Sequence, residues 1–189
     1  MQFLKANLSL LLLYVTFFSY SQSAETYFTE HPTLTPDADF IIFSYDSDLW
    51  KVATEGGNAL RLTAMQGNET NPNVSPDGKW VAFSSNQFGN NDVYIMPING
   101  GTITQLTFHD SSDEVSSWSW DNSKIYFTSG RYNNVTTYSV NVDGGTPERV
   151  FDHYFNTIHN VIENPLNDEI YFLHFVKCTN CIRHLLHQI

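Results

Sequence analysis

The chain has 189 residues, about the length of one domain, and its 20 acidic and 9 basic residues give a net charge of −11. This balance argues against a nucleic-acid partner, because binding phosphates requires basic patches. Aromatic residues make up 15% of the chain, which argues against a disordered protein.

The first two dozen residues have the layout of a secretory signal peptide. Lys5 precedes an apolar run over residues 8–18, and small or polar residues follow from Ser19 to Ala24. The run is shorter than the roughly 20 residues that a membrane-spanning helix needs. We therefore expect residues 1–23 to be a signal peptide and the mature protein to be exported, to the periplasm or beyond. A retained N-terminal anchor is the alternative.

A turn followed by a short strand recurs along the rest of the chain. Ser75-Pro76-Asp77-Gly78 predicts a turn, because proline presets a backbone dihedral, aspartate can bond its own backbone and glycine tolerates positive φ. Trp80 to Phe83 is then an apolar run of strand length. The equivalent units are Thr35-Pro36-Asp37 before Phe40 to Phe43, Ser119-Trp120-Asp121 before Ile125 to Phe127, and a degraded copy, Asn164 to Asn167, before Ile170 to Phe172.

A Gly-Gly pair marks the same point in each repeat. The pairs Gly56-Gly57, Gly100-Gly101 and Gly144-Gly145 follow one another at a spacing of 44 residues. Each period holds about four short strands: one before the turn, one after it, one between the hairpin loop and the Gly-Gly pair, and one after the pair. No window shows sustained helical periodicity. The strands before the pairs are Asp48 to Val52, Asp92 to Met96 and Thr136 to Val140, and the strand ends after them begin at Arg61, Gln105 and Arg149.

Four strands in a period of about 40–45 residues predict the blade of a β-propeller. The predicted fold class is therefore all-β, with about three and a half four-stranded blades over residues 25–175 and an incomplete ring. Neighbouring blades would cover both faces of each sheet, which explains why Trp80 to Phe83 is apolar throughout. A two-layer β-sandwich is the competing arrangement, but it does not require a fixed period with Gly-Gly in register.

These motifs resemble the WD40-like propeller repeat shared by TolB and the tricorn-type proteases. The resemblance rests on Ser75 to Ser85, on Asp92 to Met96 and on the Gly-Gly and Gln-Leu-Thr elements that follow them. Tricorn-like proteases are favoured, because the repeats begin directly after the signal peptide, where TolB would place a small α/β domain. Ser47 to Val52 also resembles an opening tricorn blade. Prolyl-oligopeptidase-like peptidases and amidohydrolases carry similar propellers and remain open.

The resemblance to tricorn proteases implies a large serine peptidase whose propellers filter or channel peptides, followed by a PDZ module and a separate catalytic core. No residue of this chain matches that core, so no catalytic residue is assigned and enzymatic activity is left open. Three blades and part of a fourth fall short of most rings, since propellers typically have 4–8 blades. We therefore expect an N-terminal fragment or a truncated product.

Three functional hypotheses follow. The first is the N-terminal propeller of an exported tricorn-like serine peptidase, which gates or binds peptide substrates. The second is a TolB-like periplasmic interaction module without catalysis, and the third is a truncation whose unclosed ring exposes edge strands. The expected partners are peptides or proteins, a downstream catalytic part of a longer chain, or further copies of the chain. Nucleic acid, cofactors, metals and a membrane beyond the signal peptide are not expected.

Four potential zinc ligands lie near the end of the chain: Cys178, Cys181, His184 and His187. They fall within ten residues, which is cramped for tetrahedral coordination, and a Cys-x-x-Cys half-site normally faces a second one across a longer spacer. Because the sequence leaves the repeat pattern here, we interpret residues 176–189 as an atypical tail outside the blades, with at most a local disulfide.

The remaining candidates are better explained by blades and loops. Three acids offer oxygens that calcium could use but lack the glycine turn and ligand spacing, so a solvated loop is favoured: Asp110, Asp113 and Glu114. Three serines lie outside any Gly-x-Ser-x-Gly elbow and are predicted to be turn and strand residues: Ser75, Ser84 and Ser85. Isolated histidines are predicted at the surface: His31, His109, His153 and His159. Three aromatic residues are predicted to pack between blades: Trp50, Trp80 and Tyr94.

Overall fold

The computed structural model describes residues 29–132, 134–150, 161–166, 170–178 and 181–188, which form β-strands and turns without a helix. The strands make three four-stranded sheets and one three-stranded sheet, each antiparallel and each in chain order. The first sheet holds β1 (Glu30–Leu34), β2 (Phe40–Tyr45), β3 (Asp48–Ala53) and β4 (Leu60–Arg61). The second holds β5 (Glu69–Val74), β6 (Trp80–Ser85), β7 (Asp92–Pro97) and β8 (Thr104–Gln105). The third holds β9 (Asp113–Trp118), β10 (Lys124–Tyr132), β11 (Asn134–Asn141) and β12 (Glu148–Arg149), and the fourth holds β13 (Val161–Glu163), β14 (Ile170–Cys178) and β15 (Cys181–Gln188).

The first strand of each sheet packs against the sheet before it. Strand β5 contacts β1, β2 and β3, β9 contacts β5, β6 and β7, and β13 contacts β9. The sheets therefore follow one another as blades with β1, β5 and β9 innermost, and the described residues form an arc rather than a closed ring. This arrangement confirms the predicted all-β propeller with three full blades and part of a fourth. We call the contact between sheets one and two the first junction, and that between sheets two and three the second junction.

The turn between the first two strands is built the same way in each full blade. In the second blade, Ser75 Oγ donates to Asp77 Oδ1 (2.7 Å) and accepts from the N–H of Trp80 (3.0 Å). Gly78 follows with φ 71°, a left-handed conformation that glycine adopts without steric cost. The other two turns repeat the hydroxyl-to-carboxylate bond with Thr35 and Asp37 and with Ser119 and Asp121. The predicted turn chemistry is confirmed.

The loops explain two features of the repeat. Asp46 and Ser47 alone join β2 to β3, and both have positive φ (49° and 70°), as a tight type I′ hairpin requires. The first blade is therefore shorter than the others. Each Gly-Gly pair holds two consecutive left-handed residues; for example, Gly100 and Gly101 have φ 83° and 138°. Two such residues in succession favour glycine at both positions.

The second sheet is buried on both faces, which accounts for its continuous apolar sequence. Val81 and Phe83 pack towards the first sheet in a cluster with Leu49, whereas Ala82 packs towards the third sheet in a cluster with Phe127. Fully burying a large apolar side chain contributes about 1.5–3 kcal/mol. The two clusters therefore hold successive blades together.

In the fourth sheet, the backbones of β14 and β15 pair from Tyr171 with Gln188 to Cys178 with Cys181. Part of the segment 176–189 thus pairs with the second strand of this sheet, where the sequence predicted a departure from the repeat. The side chains of the four proposed zinc ligands there lie outside the described residues, as does the predicted signal peptide (1–23). Among the residues that are described, no helix is long and apolar enough to cross a membrane.

Candidate functional site

An open cavity of about 660 Å³ lies where the innermost strands of the three full blades meet. We call it the axial cavity. Most of its lining residues are polar and belong to β1, β5 and β9, with one each from β10 and β11: His31, Pro32, Thr33, Asn71, Pro72, Asn73, Glu114, Val115, Ser116, Thr128 and Val135. The cavity therefore presents both hydrogen-bonding groups and apolar surface to a ligand.

Bulges interrupt β1 and β5 at this cavity. His31 and Asn71 occupy equivalent positions, both have φ 50°, and each precedes a proline. The strand register shifts at both points. A left-handed conformation costs a non-glycine residue about 1–2 kcal/mol, and such strain tends to occur at functional sites. Because proline also removes a backbone donor, these edges are poor templates for a continuous added strand. A ligand in the axial cavity would therefore be held mainly by side chains.

Side-chain amides connect the second and third blades beside the cavity. Glu114 accepts hydrogen bonds from Asn71 Nδ2 (2.8 Å) and Asn91 Nδ2 (2.5 Å). Asn73 Nδ2 donates to the backbone oxygen of Ser116 (3.2 Å), and Trp118 Nε1 donates to the backbone oxygen of Asn73 (2.9 Å). These bonds fix the orientation of the cavity wall, so the site is preorganised.

A carboxylate, Glu69, is buried at the first junction with only 1% of its surface exposed. Its two carboxylate oxygens accept hydrogen bonds from Thr63 Oγ1 (3.0 Å) and Ser85 Oγ (3.1 Å). Burial, with a smaller contribution from the neighbouring Asp48, raises the pKa of Glu69 to about 7. Arg61 Nη2 lies 2.5 Å from Asp48 Oδ2 and neutralises that second acid.

The second junction repeats this plan, but its arginine pairs with the innermost acid. Asp113 lies one repeat period after Glu69 and is fully buried, and Arg131 Nη2 lies 2.5 Å from its Oδ2. The Arg131 guanidinium also lies over the Tyr138 ring, 4.9 Å from its centroid. Burial raises the pKa of Asp92, whose Oδ1 accepts from Thr107 Oγ1 (3.2 Å). Each junction therefore buries two acids beside hydroxyl groups, but the innermost acid is neutralised differently in the two.

A smaller cavity of about 240 Å³ opens at the first junction, and we call it the junction cavity. Three of its lining residues are acidic, and no lysine or arginine is among those described: Glu30, Ser44, Tyr45, Asp46, Ser47, Asn68, Glu69 and Thr70. Ser44 is 6% exposed, and its hydroxyl has no hydrogen-bond partner among the described residues.

The predicted interpretation of the serines is confirmed. Ser75 lies in a turn, and Ser84 and Ser85 are buried in β6. Four histidines were predicted to lie at the surface. Of these, His31 lines the axial cavity, and His109 lies in an exposed loop, where its Nδ1 accepts a hydrogen bond from the N–H of Ser111. The other two histidines, His153 and His159, lie outside the described residues.

The prediction of a solvated acidic loop is wrong for Asp113. Asp113 and Glu114 begin β9, and Asp113 is fully buried against Arg131, whereas Asp110 alone of the three is exposed in a loop. The burial of Asp113 was not predicted because its partner, Arg131, lies 18 residues later in the sequence. In the described part of the chain, no group of three or more His, Cys, Asp or Glu side chains is arranged to hold a metal ion.

The aromatic residues behave differently from one another. Tyr94 is buried and stacks on Phe83 with ring centroids 5.7 Å apart, as blade packing predicts. Trp50 is half-buried, and its Nε1 donates to the backbone oxygen of Tyr45 (3.0 Å). Packing is the wrong prediction for Trp80, which is 40% exposed because it begins β6 beside the turn, where the neighbouring sheet no longer covers it.

The residues that define the junctions are not evident from the sequence motifs. Glu69, Asp113 and Ser44 were not recognised as buried polar groups, and Arg131 was not considered. Aligning the repeats with one another would have revealed the two buried acids, because Glu69 and Asp113 are one period apart and each begins an innermost strand. A carboxylate that recurs in phase with a buried apolar pattern indicates a buried position with partners.

Comparison with known proteins agrees with this geometry. The family model of the tricorn protease N-terminal beta propeller domain matches residues 26–163. A tricorn protease homolog from Streptomyces coelicolor is 32% identical over 63 residues, which make up 33% of this chain and 6% of that protein. A TolB homolog from Chlorobium luteolum is 34% identical over 61 residues, 32% of this chain and 14% of that protein.

Solved structures share the fold. TolB from Acinetobacter baumannii superposes with a TM-score of 0.68 at 20% identity, covering 86% of this chain and 41% of that chain. The crystal structure of the tricorn protease gives a TM-score of 0.61 at 12% identity, covering 85% of this chain and 21% of that chain. The chain thus spans less than half the length of these proteins. Because the family model covers most of the described blades, we conclude that the chain belongs to the family of tricorn protease N-terminal β-propeller domains.

Proposed function

We propose that this chain is the N-terminal propeller portion of an exported tricorn-like serine peptidase, and that its axial cavity binds or admits peptide. The observation that carries the proposal is the axial cavity itself, whose lining of polar and apolar residues comes from three successive blades. Export is supported by the signal-peptide pattern of residues 1–23. The catalytic serine of such a peptidase would lie outside this sequence.

The structure favours side-chain recognition over strand addition. The bulges at His31 and Asn71 and the prolines after them interrupt the inner edges of β1 and β5. The cavity wall instead presents amide, hydroxyl and carboxylate groups that are already oriented by bonds between blades. Such groups can satisfy the backbone of peptides that differ in sequence, which is what a substrate filter requires.

A TolB-like interaction module without catalysis is the second candidate. It is supported by the TolB homolog with 34% identity over 61 residues and by the TolB structure with a TM-score of 0.68. Both candidates use the propeller to bind a polypeptide. They differ in what the rest of the protein contains.

The discriminating experiment is to isolate the native protein with an antibody against this chain, determine its intact mass, and label it with a fluorophosphonate that reacts with active serines. The peptidase proposal predicts a polypeptide several times larger than the 21.6 kDa of this chain, with the labelled serine outside it. A larger polypeptide without a reactive serine would support the TolB-like module. A mass close to that of this chain, less the signal peptide, would overturn the peptidase proposal.

Binding at the axial cavity is tested separately, with fluorescent peptides of about ten residues and anisotropy. Val135→Tyr places a larger side chain in the cavity, and we expect it to weaken binding about tenfold through steric exclusion. Leu166→Tyr is the matched control, because Leu166 is 90% exposed and does not line the cavity. Equal affinities for the wild type and Val135→Tyr would exclude the axial cavity as the binding site.

A further inference from the structure

The junction cavity combines three observations that point to a ligand. First, its lining includes the buried carboxylate of Glu69 and the exposed carboxylates of Glu30 and Asp46, and no lysine or arginine among the described residues lines it. Burying a carboxylate without a counter-charge is unfavourable, and the cavity is large enough at about 240 Å³ to admit a small group from outside. The cavity therefore has the electrostatic character of a cation site.

The second observation is the hydroxyl of Ser44. In the next blade the equivalent hydroxyl, Ser84 Oγ, accepts a hydrogen bond from the N–H of Val115 (2.8 Å). The residue that corresponds to Val115 is Asn71, whose left-handed backbone (φ 50°) departs from the extended geometry of a strand. Ser44 Oγ is buried, lines the junction cavity, and has no partner among the described residues. An unsatisfied buried hydroxyl costs about 1–3 kcal/mol, so a donor supplied by a ligand would relieve it.

The third observation is the comparison with the second junction. There the chain supplies a cation to the innermost acid itself, because Arg131 pairs with Asp113 and is only 13% exposed, whereas the arginine of the first junction, Arg61, pairs with Asp48. Residue 87, which corresponds to Arg131 in the second blade, is a glutamine. Glu69 is therefore the counterpart of an ion-paired acid, but it is held by two hydroxyl groups.

We propose that the junction cavity binds a primary ammonium group, carried by a lysine side chain or by the N-terminus of a peptide. Glu30 supplies one opposing charge, Glu69 supplies a second in its ionised form, and Ser44 Oγ accepts one of the three N–H bonds of the ammonium. A compact ammonium matches the small volume, and its three donors match acceptors on both sides of the junction. The site is separate from the axial cavity, so the proposal does not depend on peptide binding there.

The test is calorimetric titration of the full chain near neutral pH with three small probes. Nα-acetyl-lysine methylamide carries only the side-chain ammonium, and glycylglycine methylamide carries only the terminal one. Nα-acetyl-norleucine methylamide has a similar shape to the first probe without a charge. We expect at least one charged probe to bind about tenfold more tightly than the neutral probe, because a charge-assisted hydrogen bond is roughly twice as strong as a neutral one. The charged probe that binds identifies the source of the ammonium.

Variants locate the binding. Glu69→Gln removes the charge with little change in shape and Ser44→Ala removes the unsatisfied acceptor, and we expect each to weaken binding by about tenfold. Asp110→Asn is the matched control, since it removes one exposed charge outside the cavity and tests for general attraction to a chain of charge −11. The proposal is overturned if neither charged probe binds more tightly than the neutral one. It is equally overturned if Asp110→Asn weakens binding as much as the cavity variants, while all variants retain the wild-type circular dichroism spectrum.

Discussion

The two junctions bury a carboxylate at the same point of the blade and neutralise it in different ways. At the second junction Arg131 pairs with Asp113. At the first junction Glu69 instead accepts hydrogen bonds from the hydroxyls of Thr63 and Ser85. The two blades also share a stacked aromatic pair, Tyr94 on Phe83 and Tyr138 on Phe127. The repeat therefore fixes where an acid is buried, while its partner can change from blade to blade. A difference of this kind allows one junction to be structural and the other to accept a ligand.

The strongest effect should come from what the two junctions share. Phe83 and Phe127 are fully buried at equivalent positions, and each stacks on a tyrosine with ring centroids 5.7 and 5.9 Å apart. We expect Phe83→Ala and Phe127→Ala each to lower the free energy of unfolding by about 4 kcal/mol, because each leaves a cavity of ring size. Urea unfolding followed by circular dichroism measures both. A difference of more than about 2 kcal/mol between the two variants would contradict equivalent packing at the junctions.

The next largest effect should come from the ion pair of the innermost acid, which the second junction has and the first junction lacks. Arg131→Met leaves Asp113 buried without its counter-charge, so we expect the free energy of unfolding to fall by about 3 kcal/mol at neutral pH. The same urea experiment measures the loss. The double variant Arg131→Met with Asp113→Asn is the control, and it should recover much of the stability because no unpaired charge remains. If the single and double variants are equally unstable, then packing of the arginine stem rather than its charge stabilises this junction.

At the first junction the corresponding experiment is a change of pH. The pKa of Glu69 is raised from 4.5 to about 7, so the folded state holds its proton more tightly than the unfolded chain does. The stabilisation by this proton is complete below the unfolded value and is lost as the pH rises through the folded value. We expect the free energy of unfolding to fall by on the order of 2 kcal/mol between roughly pH 4.5 and pH 8 from this group. Urea midpoints across that range measure it.

The control isolates Glu69 from its neighbours. The charged and titratable groups around it are Asp48, Arg61, Tyr94, Glu30 and Asp46. Asp92 also has a raised pKa, so part of the decline with pH belongs to the second junction. Glu69→Gln should remove the Glu69 component and leave the rest, which gives a difference curve that declines between roughly pH 4.5 and pH 7. Parallel pH profiles for the wild type and the Glu69→Gln variant would show that the pKa of Glu69 is the same in the folded and unfolded states.

The propeller was predictable from the sequence because its signals are local. Turn residues, Gly-Gly pairs and apolar runs recur in phase, and each acts through the backbone of a few neighbouring residues. The junction chemistry was not predictable in the same way, since Glu69 and Thr63 belong to different blades and Asp113 pairs with a residue on another strand. The exposure of Trp80 was missed for a related reason: an apolar run indicates a strand but does not say where the neighbouring sheet stops covering it.

The smallest effect tests the element that all three blades share, the turn after the innermost strand. The left-handed position of this turn is occupied by Ala38 (φ 62°), Gly78 (φ 71°) and Asn122 (φ 64°). A Cβ at Gly78 would approach Pro36 Cδ no closer than 3.6 Å, so a substitution there strains the backbone without a clash. We expect Gly78→Ala to lower and Ala38→Gly to raise the free energy of unfolding by about 0.5–1 kcal/mol each, because glycine adopts positive φ without a steric penalty. Shifts of the same sign in urea unfolding would mean that the turns differ in more than the backbone. The junction variants would then have to be compared blade by blade rather than as members of one repeat.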